Sequence, residues 1–287
     1  RPGEPQLLPV RHLRDDGGFE LIVVDQSDDD TTQQAVSSYL TDRRVRYVHR
    51  REAGLGRARN AGLAEARSDI VLFTDDDVTV PRHWLATMQR GIEQHPEVAV
   101  AFCNVDAAPH DREAGFVPAY HRTGTIEISS TWQKCRARGI GAGLCVRRTT
   151  VLAVGGFDPM LGAGAEFPSC EDGDIALRSL LAGHRVLETD AVAVVHDGFR
   201  SWAEGRDLTR RDWYGIGAAY SKPIRVGRLS ALPVVLWEGV VVAALLPVAG
   251  MIAGKWPPGV RRAVYFWKGF VEGFRRRVDP DTLLFLA

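Results

Sequence analysis

Three adjacent carboxylates, Asp75, Asp76 and Asp77, follow an apolar run at residues 69–74. Neighbouring carboxylates repel one another unless a positive charge lies between them, and Mg²⁺ or Mn²⁺ typically binds one or two carboxylates together with substrate phosphate oxygens. Residues i and i+2 of an extended segment share a face, so we expect Asp75 and Asp77 to point together and Asp76 to point away. A solvated acidic turn is the simpler interpretation, but the position after a buried strand favours a cation site.

A second acidic pair, Glu171 and Asp172, opens an amphipathic helix predicted over residues 171–184. Helix capping explains acidic residues here, because they interact favourably with the positive end of the helix dipole. Asp174 lies in the same turn, so we expect at least one of the three carboxylates to be structural. The chemical alternative is a general base, a carboxylate that takes the proton of an attacking hydroxyl.

Two further candidates are a histidine and a pair of arginines. His196 follows the strand predicted over residues 191–195, where a hydrogen-bonded core histidine is the more common finding. The segment GLGRARNAG at residues 54–62 does not fit the dinucleotide-binding pattern G-x-G-x-x-G, and no buried strand directly precedes it. Its arginines, Arg57 and Arg59, lie near a helix start and can instead contact a base or a phosphate.

The elements that must position these residues alternate between strand and helix through residue 105, which predicts a doubly wound, mostly parallel sheet. The apolar runs in residues 19–27 and 69–74 are typical of strands buried on both faces. Ligands of such sheets sit beyond the carboxyl ends of the strands. Asp25 and the three aspartates from Asp75 both fall at such ends. A short helix is also predicted over residues 5–14.

The bulk composition is that of an ordinary globular protein, with 287 residues, 45% hydrophobic and 25% charged. Lys+Arg and Asp+Glu both total 36, and this balance argues against a nucleic-acid-binding protein, which normally shows a basic excess or stripe. The four cysteines form no C-x-x-C pair, so we expect buried thiols in a reducing compartment. We see no signal peptide and expect a cytoplasmic location.

The C-terminal third is strongly apolar at residues 231–254, which at ~20 residues is long enough to cross a bilayer. Glu238 would be costly in mid-span, so we expect a partly buried or membrane-surface segment. Residues 260–277 place apolar side chains between basic ends, as interfacial helices do. Packing on the catalytic domain or on a second copy in a homodimer is the alternative, and a peripheral position on the inner face of the cell membrane is the corresponding expectation.

Four motifs in register resemble the inverting family 2 glycosyltransferases of the GT-A fold: FELIVVDQS, GLGRARNAG, DIVLFTDDD, and GGFDPMLGAG with EDGD. The resemblance covers roughly residues 5–200. It implies a GT-A catalytic domain over residues 1–215, with a Rossmann-like nucleotide-binding half and an acceptor-binding half, and a helical extension over residues 216–287. It also implies an enzyme that uses Mn²⁺ or Mg²⁺ to move a sugar from a nucleotide-diphosphate donor, with UDP the expected nucleotide, onto a hydroxyl of a glycan, a lipid-linked or a small-molecule acceptor.

The resemblance also implies roles for single residues. Donor binding falls to Asp25, Arg59, Asp75 and Asp76, metal binding to Asp75, Asp77 and His196, and catalysis to Asp172 as the base and Glu171, which positions the acceptor. Gln26 stands where many members carry a second aspartate, and the first strand of the family is expected before residue 1. Both departures leave the donor base open.

Two other functions fit parts of this pattern. A sugar nucleotidyltransferase would also need a metal and a doubly wound sheet, but it usually carries a glycine-rich, basic loop for a triphosphate, which we do not find in this sequence. A non-catalytic nucleotide-sugar-binding protein would not need the acidic and histidine positions, which are present here.

Overall fold

The computed structural model describes residues 18–252 and 260–286, so the helix predicted over residues 5–14 lies outside the described residues. The strands are β1 Leu21–Asp25, β2 Val45–His49, β3 Ile70–Phe73, β4 Val78–Thr79, β5 Val98–Ala107, β6 Gly115–Phe116, β7 Ile126–Ile128, β8 Leu144–Arg147, β9 Arg185–His196, β10 Arg200–Ser201, β11 Arg277–Val278 and β12 Phe285–Leu286. The α-helices are α1 Thr31–Val36, α2 Leu55–Glu65, α3 Trp84–Glu93, α4 Thr131–Lys134, α5 Arg148–Ala153, α6 Glu171–Leu181, α7 Trp202–Arg225, α8 Leu232–Leu236, α9 Leu246–Ile252 and α10 Val260–Arg275.

The central sheet has six strands in the order β3-β8-β5-β9-β4, with β7 also paired to β9. Strands β5 and β9 are parallel, whereas β8 runs antiparallel between β3 and β5. Strands β1 and β2 form a separate parallel pair. The apolar runs at β1 and β3 were expected to be buried on both faces, but their apolar side chains are only partly buried, and β5 is the deeply buried strand.

Helices cover both faces of this sheet, which is the doubly wound arrangement. One core cluster joins Leu63 of α2, Val151 of α5 and Ile175 of α6 to the sheet. A second cluster places Trp84 and Met88 of α3 against β5 and β9 on another side. Apolar side chains at helical spacing therefore fix the layers that hold the strand ends in place.

The C-terminal helices share a third core cluster with residues of the preceding domain, including Leu161, Phe167 and Leu177. Helices α7 and α10 approach closely because Gly217 has no side chain. A Cβ at this position would lie 2.0 Å from the Phe266 carbonyl oxygen. The boundary predicted at residue 215 falls inside α7, which is one continuous helix. The division into residues 1–215 and 216–287 stays a prediction.

A buried ionic network ties α7 to the start of α6. The Lys222 ammonium lies 2.7 Å from carboxylate oxygens of both Asp158 and Asp174, and Arg178 also donates to Asp174 at 2.7 Å. The backbone N–H of Phe285 donates to Asp158, which joins β12 to the same network. Asp174 is thus a structural carboxylate, as expected for one of the three acidic residues at this helix start.

The apolar segment Leu229–Gly250 comprises a short 3₁₀ turn, α8, a π-helical stretch Trp237–Leu245 and α9. Within the described residues it is the one helix whose length and composition would allow it to cross a membrane, and 39% of its apolar window is buried. Glu238 is only 3% exposed and its carboxylate bonds Arg138 at 2.5 Å. The opposite side carries the exposed residues Leu229, Leu232, Leu236, Val240, Leu245, Leu246 and Val248.

Candidate active site

The acidic turn lies between β3 and β4, at the carboxyl end of β3. Asp75 and Asp77 are partly buried, whereas Asp76 is exposed to solvent. Antiparallel pairing of β4 with β9 places Val78 opposite His196, and this register brings the histidine beside Asp77. The predicted residues Asp77 and His196 therefore meet although they are far apart in sequence.

The Asp77–His196 pair has the geometry of two ligands of one cation. Nδ1 of His196 lies 2.9 Å from the Pro118 carbonyl oxygen, so it is the N–H donor and Nε2 faces Asp77. The distance between Nε2 and Asp77 Oδ1 is 3.2 Å. Neighbouring ligands of an octahedral Mg²⁺ or Mn²⁺ with bonds of about 2.1 Å lie roughly 3 Å apart, so the residues present fit such an ion.

Space in front of this pair is kept open by Gly198. A Cβ at this position would lie 2.5 Å from Asp77 Oδ2 and 2.6 Å from His196 Nε2. Arg200 approaches from the same segment, with Nη2 3.9 Å from Asp77 Oδ2. The hydrogen bond from His196 is the main cause that lowers the pKa of Asp77. Sequence reasoning missed both Gly198 and Arg200, because neither stands in a recognisable motif.

Arg59 links the two acidic sites. It is 5% exposed, and its Nη1 donates to Glu171 Oε1 at 2.8 Å while its Nη2 lies 3.8 Å from Asp75 Oδ1. Its guanidinium also lies over the rings of Phe73 and Phe157, at 5.9 and 5.5 Å from their centroids. The sequence predicted a base or phosphate contact for Arg59, but in the structure its nearest charged partners are the two carboxylates.

Asp172 projects from the first turn of α6 next to Arg59. Its Oδ2 accepts a hydrogen bond from the Gly141 backbone N–H at 2.7 Å, and its Oδ1 accepts one from Gly173 at 2.6 Å. A Cβ at Gly141 would lie 2.3 Å from Arg59 Nη2, so the loop carrying this donor packs directly on the arginine. Two fixed backbone donors therefore hold the predicted base in one orientation.

The charges of these groups act on one another. Burial raises the pKa of Asp75; Arg59 and His196 oppose this rise, and Asp77 and Asp172 add to it. Burial likewise raises the pKa of Glu171, with Arg59 opposing the rise. The carboxylates at 75, 77 and 172 thus converge on a single region, with Glu171 bonded to its central arginine.

Asp25 lies at the carboxyl end of β1, as predicted, but its carboxylate is already engaged. Tyr47 donates to Oδ2 at 2.6 Å, and the Ser27 backbone N–H and hydroxyl donate to Oδ1 at 2.9 and 2.7 Å. Burial alone would raise the pKa of Asp25, but these hydrogen bonds lower it, and the same contact raises the pKa of Tyr47 to about 12. A contact between Asp25 and the donor stays a prediction.

Asp212 on α7 is an ionisable residue near this region that the sequence did not single out. Burial, together with the charge of Asp172, raises the pKa of Asp212 to about 6, although a hydrogen bond from Ser169 opposes the rise. Its motif, Arg-Arg-Asp-Trp, carries no spacing that would have marked it.

A second group of possible metal ligands consists of His95, Glu97 and Glu127, whose ligand atoms all lie within 4.8 Å of one another. Arg185 already neutralises it, because its Nη1 bonds Glu127 and lies 3.6 Å from Glu97. Arg185 begins β9 whereas His196 ends it, so this group lies at the opposite end of the strand from the candidate active site.

Comparisons with known proteins indicate a family and a fold. Residues 9–138 match the family described as Glycosyl transferase family 2. A pre-mycofactocin glycosyltransferase of Mycobacterium tuberculosis is 29% identical over 214 residues, which cover 72% of this chain and 43% of the relative. The chain therefore spans less than half the length of this curated relative.

Two solved structures share the fold at low sequence identity. The mannosyltransferase PcManGT from Pyrobaculum calidifontis, in complex with GDP-Man and Mn²⁺, has a TM-score of 0.57 at 18% identity, covering 89% of this chain and 78% of that chain. A fragment of S. aureus TarS in complex with UDP has a TM-score of 0.52 at 16% identity, covering 92% and 86%.

The fold is the GT-A fold of these solved structures, and the acidic residues lie at its strand ends. Within that fold, residues 9–138 are similar to the glycosyltransferases of family 2. The predicted resemblance to this family, the fold class and the assignment to the enzymes are confirmed at this level.

Proposed function

We propose that this domain is a metal-dependent, inverting glycosyltransferase that moves a sugar from a nucleotide-diphosphate donor onto an acceptor hydroxyl. The observation that carries the proposal is the position of Arg59, which bonds Glu171 and approaches Asp75. Through this arginine the acidic turn after β3 and the acidic start of α6 border one cleft. A metal site and a base are needed together for transfer, whereas a binding protein needs no base.

Different residues of the cleft would contact the donor and the acceptor. Asp77 and His196, with Asp75 beside them, would hold the divalent cation, which would neutralise the donor diphosphate when bound. Arg200 offers a guanidinium at the same place for phosphate oxygens. Asp76 is exposed and free to turn toward the donor.

Asp172 acts as the general base on the acceptor side. The two backbone N–H groups that bind its oxygens fix its direction, and the carboxylate keeps lone pairs to accept the acceptor proton. Glu171 is held by Arg59 and positions the acceptor next to it. Attack from the face opposite the departing diphosphate would invert the anomeric centre.

Asp172→Asn tests the base directly. General-base catalysis is typically worth ~10²–10⁴-fold, so transfer should fall by that factor while donor binding stays close to wild type. The exposed Asp207→Asn on α7 is the matched control and should leave transfer unchanged. Full transfer activity in the Asp172 variant would contradict the assigned role.

Metal dependence is tested by chelation. Transfer should stop in excess EDTA and return on addition of Mn²⁺ or Mg²⁺. Release of nucleoside diphosphate from the donor without acceptor would distinguish an enzyme from a non-catalytic binding protein. Undiminished transfer in EDTA would refute the role of Asp77 and His196.

The donor is expected to be a UDP-sugar, and a thermal-shift screen of UDP-, GDP- and dTDP-sugars with Mn²⁺ tests this expectation. A ligand that binds only the folded state raises apparent stability. The structural neighbours were solved with GDP-Man and with UDP, so both nucleotides belong in the screen. A larger shift with a GDP- or dTDP-sugar would overturn the preference for UDP.

We further propose that the outer side of Leu229–Gly250 and α10 rests on an anionic membrane surface from the cytoplasmic side. Exposed Val264 and Val271 alternate on α10 with exposed Arg261 and Lys268, an apolar side with basic edges. Such a position would bring the cleft to a lipid-linked acceptor. The alternative is that a second copy covers the same side.

Co-sedimentation with anionic vesicles at low salt tests the membrane contact. Val264→Glu should abolish sedimentation, whereas Leu40→Glu, an exposed leucine elsewhere, should not. A dimer in sizing experiments without vesicle binding would favour the homodimer and contradict the membrane proposal.

A further inference from the structure

Two arginines flank one buried indole beside the candidate active site. The guanidinium carbons of Arg138 and Arg262 each lie 5.8 Å from the Trp213 ring centroid, within the range of cation–π contacts. Trp213 itself is buried. We call Arg138, Arg262 and Trp213 the arginine cluster.

The positive charge of this cluster is not balanced. Arg138 pairs with Glu238, and the buried Lys134 acts on the same carboxylate. The side chain of Arg262 has no ion pair or hydrogen bond among the described residues, and its Nε is buried without an acceptor. Arg138 and Lys134 therefore share one carboxylate, and burial together with the charge of Arg138 lowers the pKa of Arg262.

An unpaired, partly buried guanidinium is costly, because it gives up water without gaining an acceptor. If the cluster served only to pack helices, an apolar or neutral residue at 262 would fill the same place without repulsion from Arg138. The arrangement instead resembles a binding site for an anion, since two guanidinium groups bind phosphate oxygens with bidentate geometry.

The cluster adjoins the acceptor side of the cleft. Arg138 stands three residues before Gly141, whose N–H holds Asp172. A Cβ at Gly173, the residue after Asp172, would lie 3.5 Å from the Tyr220 hydroxyl, and the charges of Arg138 and Asp172 both act on this buried side chain, so the cluster and the candidate base share a neighbour. A molecule whose hydroxyl meets Asp172 can therefore present a charged group to the arginines.

We propose that the arginine cluster binds a phosphate group of the acceptor, with Arg262 as its unpaired ligand. Glu238 joins the cluster to the apolar segment Leu229–Gly250, so a phosphate ester that carries an apolar chain is the class of ligand to test. The identification of the ligand as the acceptor rests on the proposed function, whereas the binding of phosphate does not.

Binding is measured by isothermal titration calorimetry in EDTA, so that no divalent cation contributes. The probes are octyl phosphate, inorganic phosphate and octyl glucoside, which has the same tail and a neutral headgroup. Arg262→Gln should weaken octyl phosphate binding about ten- to hundredfold, the range for a lost charge-assisted hydrogen bond. The exposed neighbour Arg261→Gln makes the same charge change and should alter affinity less than about twofold.

Thermal unfolding of the same variants separates a binding role from a packing role. Arg262→Gln should be as stable as wild type or more stable, because it removes a repelled cation. Loss of stability with unchanged phosphate affinity would make Arg262 a packing residue and overturn the proposal. Equal weakening by Arg261→Gln, or equal binding of octyl glucoside, would also overturn it.

The remaining results assign the ligand. Tighter binding of octyl phosphate than of inorganic phosphate identifies a phosphate ester on an apolar chain, and equal binding identifies a free phosphate group. If wild type binds phosphate but hydrolyses no donor, the proposed function fails while the phosphate site stands.

Discussion

The pH dependence of stability at Asp212 offers a sharp test of the electrostatics of this cleft. Asp212 lies on α7 beside Trp213, and burial together with the charge of Asp172 raises its pKa to about 6. Replacement by asparagine keeps the shape of the protonated carboxyl and removes the ionisation. We expect Asp212→Asn to stabilise the protein at neutral pH.

The sign follows from proton binding in the two states. The unfolded carboxyl has a pKa of 3.8 and the folded one of about 6, so the folded state keeps a proton that the unfolded state releases between these values. The stabilisation that protonated Asp212 contributes to the folded state is therefore lost as pH rises from about 4 to about 6. At 1.36 kcal/mol per pH unit, ionised Asp212 costs on the order of 3 kcal/mol above pH 6.

Urea unfolding at pH 4.0 and pH 7.5 measures this cost. The free energy of unfolding of Asp212→Asn should equal that of wild type near pH 4 and exceed it by roughly 3 kcal/mol at pH 7.5. Asp207→Asn changes an exposed carboxyl of the same helix and should show no such growth. A difference for Asp212→Asn that stays constant with pH, or that shrinks as pH rises, would refute the reasoning.

Three further predictions concern single contacts. Arg59→Met leaves the buried Glu171 unpaired and should lower the free energy of unfolding in urea by about 3–5 kcal/mol at pH 8. The loss should be smaller at pH 5, where the Glu171 carboxyl can take a proton. Equal losses at the two pH values would contradict this prediction. Gly198→Ala places a Cβ 2.5 Å from the Oδ2 atom of Asp77. Mn²⁺ binding, measured by calorimetry, should weaken about tenfold or more while the melting temperature stays unchanged. Unchanged affinity for Mn²⁺ would count against the metal site. Lys222→Met should destabilise by about 3–5 kcal/mol, whereas the exposed Lys268→Met should stay within about 0.5 kcal/mol, and similar losses would contradict the network.

The acidic cleft could be predicted because its signals are local. Apolar runs that end in carboxylates mark strand ends, and the parallel arrangement of the strands brings such ends together. The run before Asp75 and the helix after Asp172 each carry this information within about ten residues. The resemblance to the family implied that Asp77 and His196 share a metal site, whereas the pairing of the two-residue strand β4 with β9 that brings them together was not predicted.

The contacts between these elements could not be predicted, because they join distant segments. Arg59 and Glu171 are separated by 112 positions, and their contact depends on how α2 and the start of α6 pack in the folded chain. The lack of a side chain at Gly198 matters because Asp77 and His196, which are distant in sequence, lie directly against it. The register of β1 and β2 likewise decides that Tyr47 engages Asp25.

Charge is distributed unevenly around Asp172 in a chain whose formal net charge is zero. Toward the acidic turn, the three carboxylates at 75, 77 and 171 share the guanidinium groups of Arg59 and Arg200. On the other side, the arginine cluster has more cations than Glu238 can neutralise. An excess of negative charge attracts a divalent cation, and an excess of positive charge attracts a phosphate, each of which is costly for the empty protein. A base placed between the two would receive a hydroxyl anchored on one side and a donor anchored on the other, which is the arrangement that positions two substrates for transfer.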